Sequence, residues 1–340
     1  MVFVEHLEKL GGTFMKKIIA IVSMAAMVAG AAFAADVSMK VKLDGSLFKY
    51  DNDKKVTAGM INYNSESWNP FIDFTFNGEK AGAEVKFYNG AAGEGTAVNN
   101  GQWNIWFKPF DVLTFKVGTC GTELNKEHID WGTDSGCWSQ GYAAIVSSNG
   151  FNFETYLIPG AGKYWFSKAD GSDPEVAESY IKLAYGADFG TVDGMFDYKG
   201  KDNMKFGVGY NGKAGPVGFF VTGLGYLTTE ITKIRGEIYG EYANGGLGLK
   251  LYVPVDYTLS GSVLAVGTTF KATYGVNSVT PYLYVKDSNW CADNFAIEVK
   301  PGVTGKVGEM SYDVALDANI DTSKANSFSL NVPVSFVVQF

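Results

Sequence analysis

The chain has 340 residues, 46% of them hydrophobic, and a formal net charge of −8 at pH 7. That charge, with a single arginine at position 235, leaves no basic footprint for nucleic acid. Composition also argues against a helical membrane bundle: 42 Gly, 19 Tyr, 24 Phe, only 9 Pro and a mean hydropathy of −0.01 suit many strands joined by Gly-rich and Asn-rich turns.

One long apolar run exists, and it follows Met15. Lys16 and Lys17 make a positive start, Ile18 to Gly30 a short apolar core, and Ala32-Phe33-Ala34 a small-x-small cleavage pattern. Residues 15–34 therefore read as a secretory signal peptide, with a core too short to span a membrane comfortably. Residues 1–14 read as an extension from an upstream start codon. Removing residues 1–34 takes away three Lys and two Glu and leaves −9 on the mature chain. In an exported protein the three cysteines allow a disulfide between Cys120 and Cys137, with Cys291 left over; free thiols at both positions are the alternative.

Strand patterning begins at once after the cleavage site. Val37, Met39, Val41 and Leu43 alternate with Ser38, Lys40, Lys42 and Asp44, and side chains of a strand point to opposite faces with a period of two. No plug or separate domain intervenes. The rhythm recurs: Ile72, Phe74 and Phe76 oppose Asp73 and Thr75; Ile181, Leu183 and Tyr185 oppose Lys182; Ile234 and Ile238 oppose Lys233, Arg235, Glu237 and Glu241. Leu247 through Val255 in alternation oppose Lys250, Tyr252 and Asp256, and Tyr312, Val314, Leu316 and Ile320 oppose Asp313, Asp317 and Asn319. Charges on the second face predict a wet interior, since a sandwich core or a small packed barrel would be apolar there. Lys182, Lys233, Arg235, Glu237, Glu241 and Lys250, with Asp73 and Asp256, are the candidate pore-lining charges.

Asn77-Gly78, Asn149-Gly150, Asn211-Gly212 and Asn244-Gly245 lie between alternating segments and predict tight hairpin turns. Nineteen strand-like segments can be marked, among them 37–49, 55–63, 70–77, 263–274, 293–301, 306–319 and 327–340, with short turns and long connections alternating. An odd count conflicts with the even numbers of bacterial single-chain barrels. Either 37–49 splits at Gly45 or one central segment is loop, and the expectation is 16 to 18 strands, with 18 favoured.

The longest loop, Thr119 to Gln140, holds Glu123, Glu127, Asp130 and Asp134 against one Lys126. Such carboxylates folded into a channel mouth would narrow it and bias it toward cations; a solvated external loop is the alternative. The acidic turn Asp51-Asn52-Asp53 lacks the Gly and distal Glu of a calcium loop and reads as solvated. The only histidine after the leader, His128, sits in the same long loop, and one isolated base argues against a hydrolase. Trp68, Trp103, Trp106, Trp165, Tyr156 and Tyr164, near strand ends, are candidates for interfacial girdles.

The last stretch, Phe328 to Phe340, is the most regular of all. Phe328, Leu330, Val332, Val334, Phe336, Val338 and Phe340 share one parity, in a row whose length suits a tilted membrane strand. An unpaired apolar edge invites aggregation, whereas a closed barrel pairs its last strand with its first. Together the leader, the immediate strands and this tail resemble the porin-like outer-membrane barrels of bacteria, across essentially all of residues 35–340. The stretch Trp103 to Phe115, WNIWFKPFDVLTF, resembles a strand-turn-strand pattern of spirochaete-type porins and surface proteins. A single arginine departs from the basic row of the trimeric general porins.

The resemblance implies an all-β fold, a single transmembrane antiparallel up-and-down β-barrel of 16 to 18 strands over residues 35–340. It implies a water-filled channel for passive diffusion of ions and small hydrophilic solutes, located in the bacterial outer membrane, without catalysis or cofactor, and the acidic loop would make it weakly cation-preferring. Phe336, Val338 and Phe340 would form the signal read by the barrel-assembly machinery. Outer-membrane lipids and the solutes are the other expected partners, with homo-oligomerisation left open. The alternative is a surface structural protein or adhesin acting through its outer loops.

Overall fold

The computed structural model describes residues 36–51, 54–57, 72–88, 100–124, 137–158, 178–199, 203–323 and 328–340. The leader and the upstream extension lie outside the described residues. So do Glu127, His128, Asp130 and Asp134.

The described chain is built from strands: β1 (Asp36–Asp51), β2 (Lys54–Thr57), β3 (Ile72–Asn77), β4 (Ala81–Tyr88), β5 (Asn100–Phe110), β6 (Leu113–Thr122), β7 (Cys137–Ser148), β8 (Phe151–Ile158), β9 (Glu178–Ala187), β10 (Gly190–Tyr198) and β11 (Met204–Ala214). They continue as β12 (Val217–Leu227), β13 (Ile231–Asn244), β14 (Leu247–Thr258), β15 (Val263–Val266), β16 (Thr268–Tyr274), β17 (Val279–Asp287), β18 (Ala296–Val307), β19 (Met310–Ala315), β20 (Asp317–Asp321) and β21 (Phe328–Gln339). No helix among the described residues is long and apolar enough to cross a membrane.

Three pairs of segments each share one stave of the wall. β2 and β3 pair with the two ends of β1, β15 and β16 both pair with β14, and β19 and β20 both lie between β18 and β21. The 21 segments therefore make 18 antiparallel staves, closed by β1 on β21. This resolves the odd count differently from either expectation. β1 is not split at Gly45 and no central strand becomes loop; the described parts of the segments 55–63 and 70–77, β2 and β3, belong to one stave.

Two turn assignments also change. Asn211 and Gly212 lie inside β11, paired with Phe220 and Phe219, and the chain turns instead at Gly215-Pro216, where Gly215 has φ 59°. Gly212 is needed for space rather than for turning, because an added Cβ would lie 2.8 Å from the Tyr210 hydroxyl. The strand drawn through 306–319 is broken by a turn at Gly308, φ 59°, so β18 runs on to Val307. Asn149-Gly150, with φ 49° and 84°, is a hairpin turn as the sequence suggests, the positive φ at both positions matching the tight primed type.

Alternation explains the wall. Ile181 and Leu183 are exposed on the outside, while Tyr180 and Lys182 of the same strand are buried inside. Outward apolar side chains recur on Phe206, Val208, Val221, Ile234, Ile238, Leu251, Leu283 and Phe336, giving the belt that a bilayer's hydrocarbon accepts. Short turns gather at one rim, between β3 and β4, β5 and β6, β7 and β8 and onward to β18 and β19; β6 ends at Thr122 and β8 at Ile158 toward the other, ahead of long connections.

At the seam, β1 and β21 run in register from Lys40↔Gln339 to Ser46↔Pro333, then shift before Lys49↔Asn331. Proline cannot donate to a ladder and is tolerated at such an irregularity. Ser46 donates its hydroxyl to Asn331 across the same shift. The ring of Tyr50 lies 6.3 Å from that of Phe328 near the far end of the seam.

Candidate channel wall

The predicted inner-face charges on β13 and β14 come together as one network. Arg235 donates from Nε to Glu237 Oε1 at 2.9 Å, from Nη1 to Asp256 Oδ2 at 3.2 Å and from Nη2 to the Tyr252 hydroxyl at 3.3 Å. Tyr252 in turn donates to Glu237 Oε1 at 2.9 Å. Lys233 pairs with the other oxygen of Asp256 at 2.9 Å and lies 4.9 Å from the Tyr226 ring. One turn-ward step along the hairpin, Lys250 pairs with Glu241 at 3.5 Å, and Glu241 accepts from Tyr239 at 2.8 Å. Tyr239 stacks on Phe220 with centroids 4.8 Å apart. The planar guanidinium suits this arrangement because it serves three acceptors in fixed directions while keeping its charge. Glu237, only 1% exposed, depends on it.

Lys182 belongs to a second cluster. It lies 3.6 Å from Asp193 across the β9–β10 hairpin, and it donates to the backbone carbonyl of Glu123 at 2.6 Å. Glu154 of β8 is buried and accepts from Tyr156 at 2.6 Å and from Asn152 at 2.5 Å. The Lys182 contact shows where the chain goes after β6. It leaves the wall at Thr122 and turns inward, so that Leu124 is buried against Cys120, Ala143, Tyr156, Ile158, Tyr180, Met195 and Leu224. Leu124 reaches β11 as well: a Cβ added at Gly207 would lie 3.1 Å from Leu124 Cδ1 and 2.5 Å from Leu224 Cδ2.

The alternation predicts a wet inner wall and does not reveal this apolar shelf within it. Its elements were nonetheless visible, because Tyr156 and Ile158 share the parity of Glu154, and Leu224 that of Thr222. Tyr156, a girdle candidate, is part of this shelf rather than of the lipid surface. Trp106 also faces inward, beside Gly82, on the parity of Asn104, which donates to Glu84 at 2.8 Å. Trp103 is 43% exposed on the outer face, as a girdle residue would be. Trp68, Trp165 and Tyr164 lie outside the described residues.

Of the remaining candidates, Asp73 faces inward opposite Lys40 and Lys86. Cys120 is buried with a free thiol; its Cα partner across the ladder is Ser139, while Cys137 stands opposite Thr122. Phe336 pairs with Leu43 and Tyr312, and Val338 with Val41 and Met310, on the outer side of the seam. No group of three or more His, Cys, Asp or Glu among the described residues is placed to hold a metal ion.

No family model matches the chain, and no curated protein matches it by sequence. Its fold does match solved barrels. Pseudomonas aeruginosa OccK10 (OpdN) aligns with a TM-score of 0.59 at 9% identity, covering 90% of this chain and 99% of that one. The outer membrane protein OpdK of the same organism gives 0.58 at 8% identity, over 90% and 99%. P. aeruginosa OprD gives 0.56 at 8% identity, over 91% and 96%. At such identities the likeness is one of fold.

Proposed function

We propose that the protein is an outer-membrane porin, a water-filled channel through which ions and small hydrophilic solutes diffuse passively. The observation that carries this reading is the closed 18-stave wall, apolar outside and lined inside by ion pairs such as Arg235–Glu237 and Lys182–Asp193. A barrel of that many strands leaves room for an aqueous lumen, which a small barrel fills with side chains. Similarity of fold to outer-membrane proteins over about nine-tenths of the chain supports the location.

The channel is weakly cation-preferring. Carboxylates and cations on the described β13–β14 wall largely answer one another, so the surplus acid of the loop from Glu123 to Asp134 sets the balance at the mouth. The inward course of Glu123 and Leu124 supports that placement. Phe336, Val338 and Phe340 act as the signal for the barrel-assembly machinery. The strand-turn-strand over Trp103 to Phe115, with β5 ending at Phe110 and β6 starting at Leu113, supports kinship with the spirochaete-type group.

Reconstitution into a planar bilayer tests the reading. Stepwise conductance with a reversal potential displaced toward that of the cation in a salt gradient is expected. A folded, inserted barrel that passes no current would overturn the channel and favour a surface role for the outer loops.

A further inference from the structure

The ladder of β6 with β7 ends at Thr122↔Cys137, so the carbonyl of Glu123 is the first to stand past it. Lys182 of β9 meets that carbonyl, its Nζ donating at 2.6 Å. The next residue is held from elsewhere. Leu124, 1% exposed, is seated on the shelf beside Gly207 of β11 and Leu224 of β12. Two adjacent residues are thus fixed from different staves, one by a charged hydrogen bond and one by packing, which sets the heading of the chain as well as its position.

The covering of Lys182 decides what its charge is for. Its side chain is 7% exposed, against 44% for Lys250 farther round the wall. It has Asp193 at 3.6 Å and Glu154 directly opposite in the β8–β9 ladder, so its charge is answered locally before an ion in the lumen meets it. The ion pair alone does not explain a lysine here, because apolar residues of similar size often replace a buried pair without loss. What an apolar side chain cannot do is donate to a carbonyl, and a carbonyl that has left its ladder beside an apolar shelf is costly to leave without a donor.

We propose that Lys182 is the positioning residue of the long loop, a clamp that pins its root at Glu123 to the inner wall, rather than a charge that acts on passing ions. The effect on currents rests on the channel reading above; the clamp itself is a property of the folded wall. With the ammonium gone, Leu124 alone seats the root, and the shelf beneath it opens more often to water. Cys120 packs in that same shelf as a buried free thiol, so the chain carries its own reporter of whether the root is seated.

The test treats the full-length, detergent-solubilised barrel with N-ethylmaleimide and times modification of Cys120 by peptide mass mapping, with the exposed Cys291 as internal standard. In the parent, Cys120 is expected to react far more slowly than Cys291. Lys182→Met is expected to raise the Cys120 rate at least about tenfold, the loss of one charged hydrogen bond. Lys182→Arg, which keeps a charged donor, is expected to restore protection. Leu124→Ala supplies the rate for an unseated root. In planar bilayers Lys182→Met is expected to give larger or noisier open currents, and Lys182→Arg currents like the parent's.

Cys120 as protected in Lys182→Met as in the parent would overturn the proposal, and a reversal potential moved toward the cation with Cys120 still protected would return Lys182 to the pore wall. Equal exposure in Lys182→Met and Lys182→Arg would also overturn it, since the donor would then not be what matters. Lys182→Met combined with Asp193→Asn removes the carboxylate left behind: continued exposure of Cys120 supports the clamp, and renewed protection overturns it by tracing the opening to a stranded Asp193. A barrel that shows the expected thiol pattern but passes no current supports the clamp and counts against the channel alone. Folding of every variant is checked by heat-modifiable gel migration, with the double variant carrying the test should Lys182→Met fail to fold.

Discussion

Phe340 and Met39 exchange both of their backbone hydrogen bonds, Phe340 N to Met39 O at 2.9 Å and Met39 N to Phe340 O at 3.1 Å. The pair extends the seam beyond Lys40↔Gln339 to the short-turn rim. Each bond contributes about 0.5–1.5 kcal/mol net, little beside a whole barrel, so the effect of losing them falls on how the seam is found rather than on how it is kept. Deletion of Phe340 is expected to lower the fraction of heat-modifiable, membrane-inserted protein while leaving single-channel conductance of the inserted molecules unchanged. Normal insertion would remove the assembly role.

Leu124 holds the start of the long loop against the inner wall. Leu124→Ala should weaken that anchorage by about 2–5 kcal/mol, the usual cost of truncating a buried leucine. Single-channel recording is expected to show larger or noisier open currents, and deletion of residues 125–136 to enlarge conductance further. Unchanged currents in both would mean that the loop does not narrow the pore.

Gly207 supplies the seat for that leucine. In Gly207→Ala the new Cβ meets Leu224 at 2.5 Å, and overpacking of this kind costs about 1–3 kcal/mol. Gly223→Ala is the matched control on the next strand, with nothing within 4 Å of its added carbon. A lower denaturant midpoint is expected for the first and not for the second.

Arg235→Met would take the guanidinium away from the buried Glu237 carboxylate and leave the Tyr252 hydroxyl on the same oxygen. Removing one member of a buried pair costs about 3–5 kcal/mol. Unfolding in denaturant should register that loss, and the double variant Arg235→Met with Glu237→Gln should recover part of it. Equal instability of the single and double variants would show that Arg235 acts through packing alone.

At the short-turn rim, Lys80 donates to Asp111 across neighbouring turns. The hydrogen bond and charge of Lys80 hold the Asp111 carboxyl below its ordinary range, and Asp111 raises Lys80 in the same way. The sign follows from linkage: the carboxylate's share of the pairing is complete above its unfolded value and fades as pH falls through the folded one, and the ammonium's share fades as pH rises through the folded lysine value. A carbon-detected NMR titration should find Asp111 titrating lower in the parent than in Lys80→Met. Both groups are exposed, so the effect on stability is small.

Strands and faces were legible because lipid and water impose opposite demands on alternate residues, and β13 and β14 carry that pattern over their whole length. The hairpin turn at Asn149-Gly150 was legible for a similar local reason, its two positive φ values. What sequence reasoning missed was non-local. Whether Asn211-Gly212 turns or continues depends on Tyr210 and Phe219 needing the space beside Gly212, and nothing in a two-residue motif reports that. The shelf under Leu124 joins residues from six strands, and Tyr282 of β17, its ring beside Gly302, carries Lys271 of β16 over its face and donates to Asp313 of β19. Neither has a spacing in the sequence.

The ion pairs of the inner wall also bear on how such a chain can be enlarged. Lys182 with Asp193, and Lys233, Arg235 and Lys250 with Asp256, Glu237 and Glu241, pair within one hairpin joined by a short turn, and Lys300 pairs with Glu298 of its own strand and with Asp317 across the next short turn, whereas Lys205 with Asp197 joins two hairpins. A hairpin such as β13–β14 carries counter-charges for its own cations, so copying it into the wall adds two staves together with ion pairs of their own. Barrel girth can then change by duplication of one small gene segment, with the older staves keeping the partners they already have.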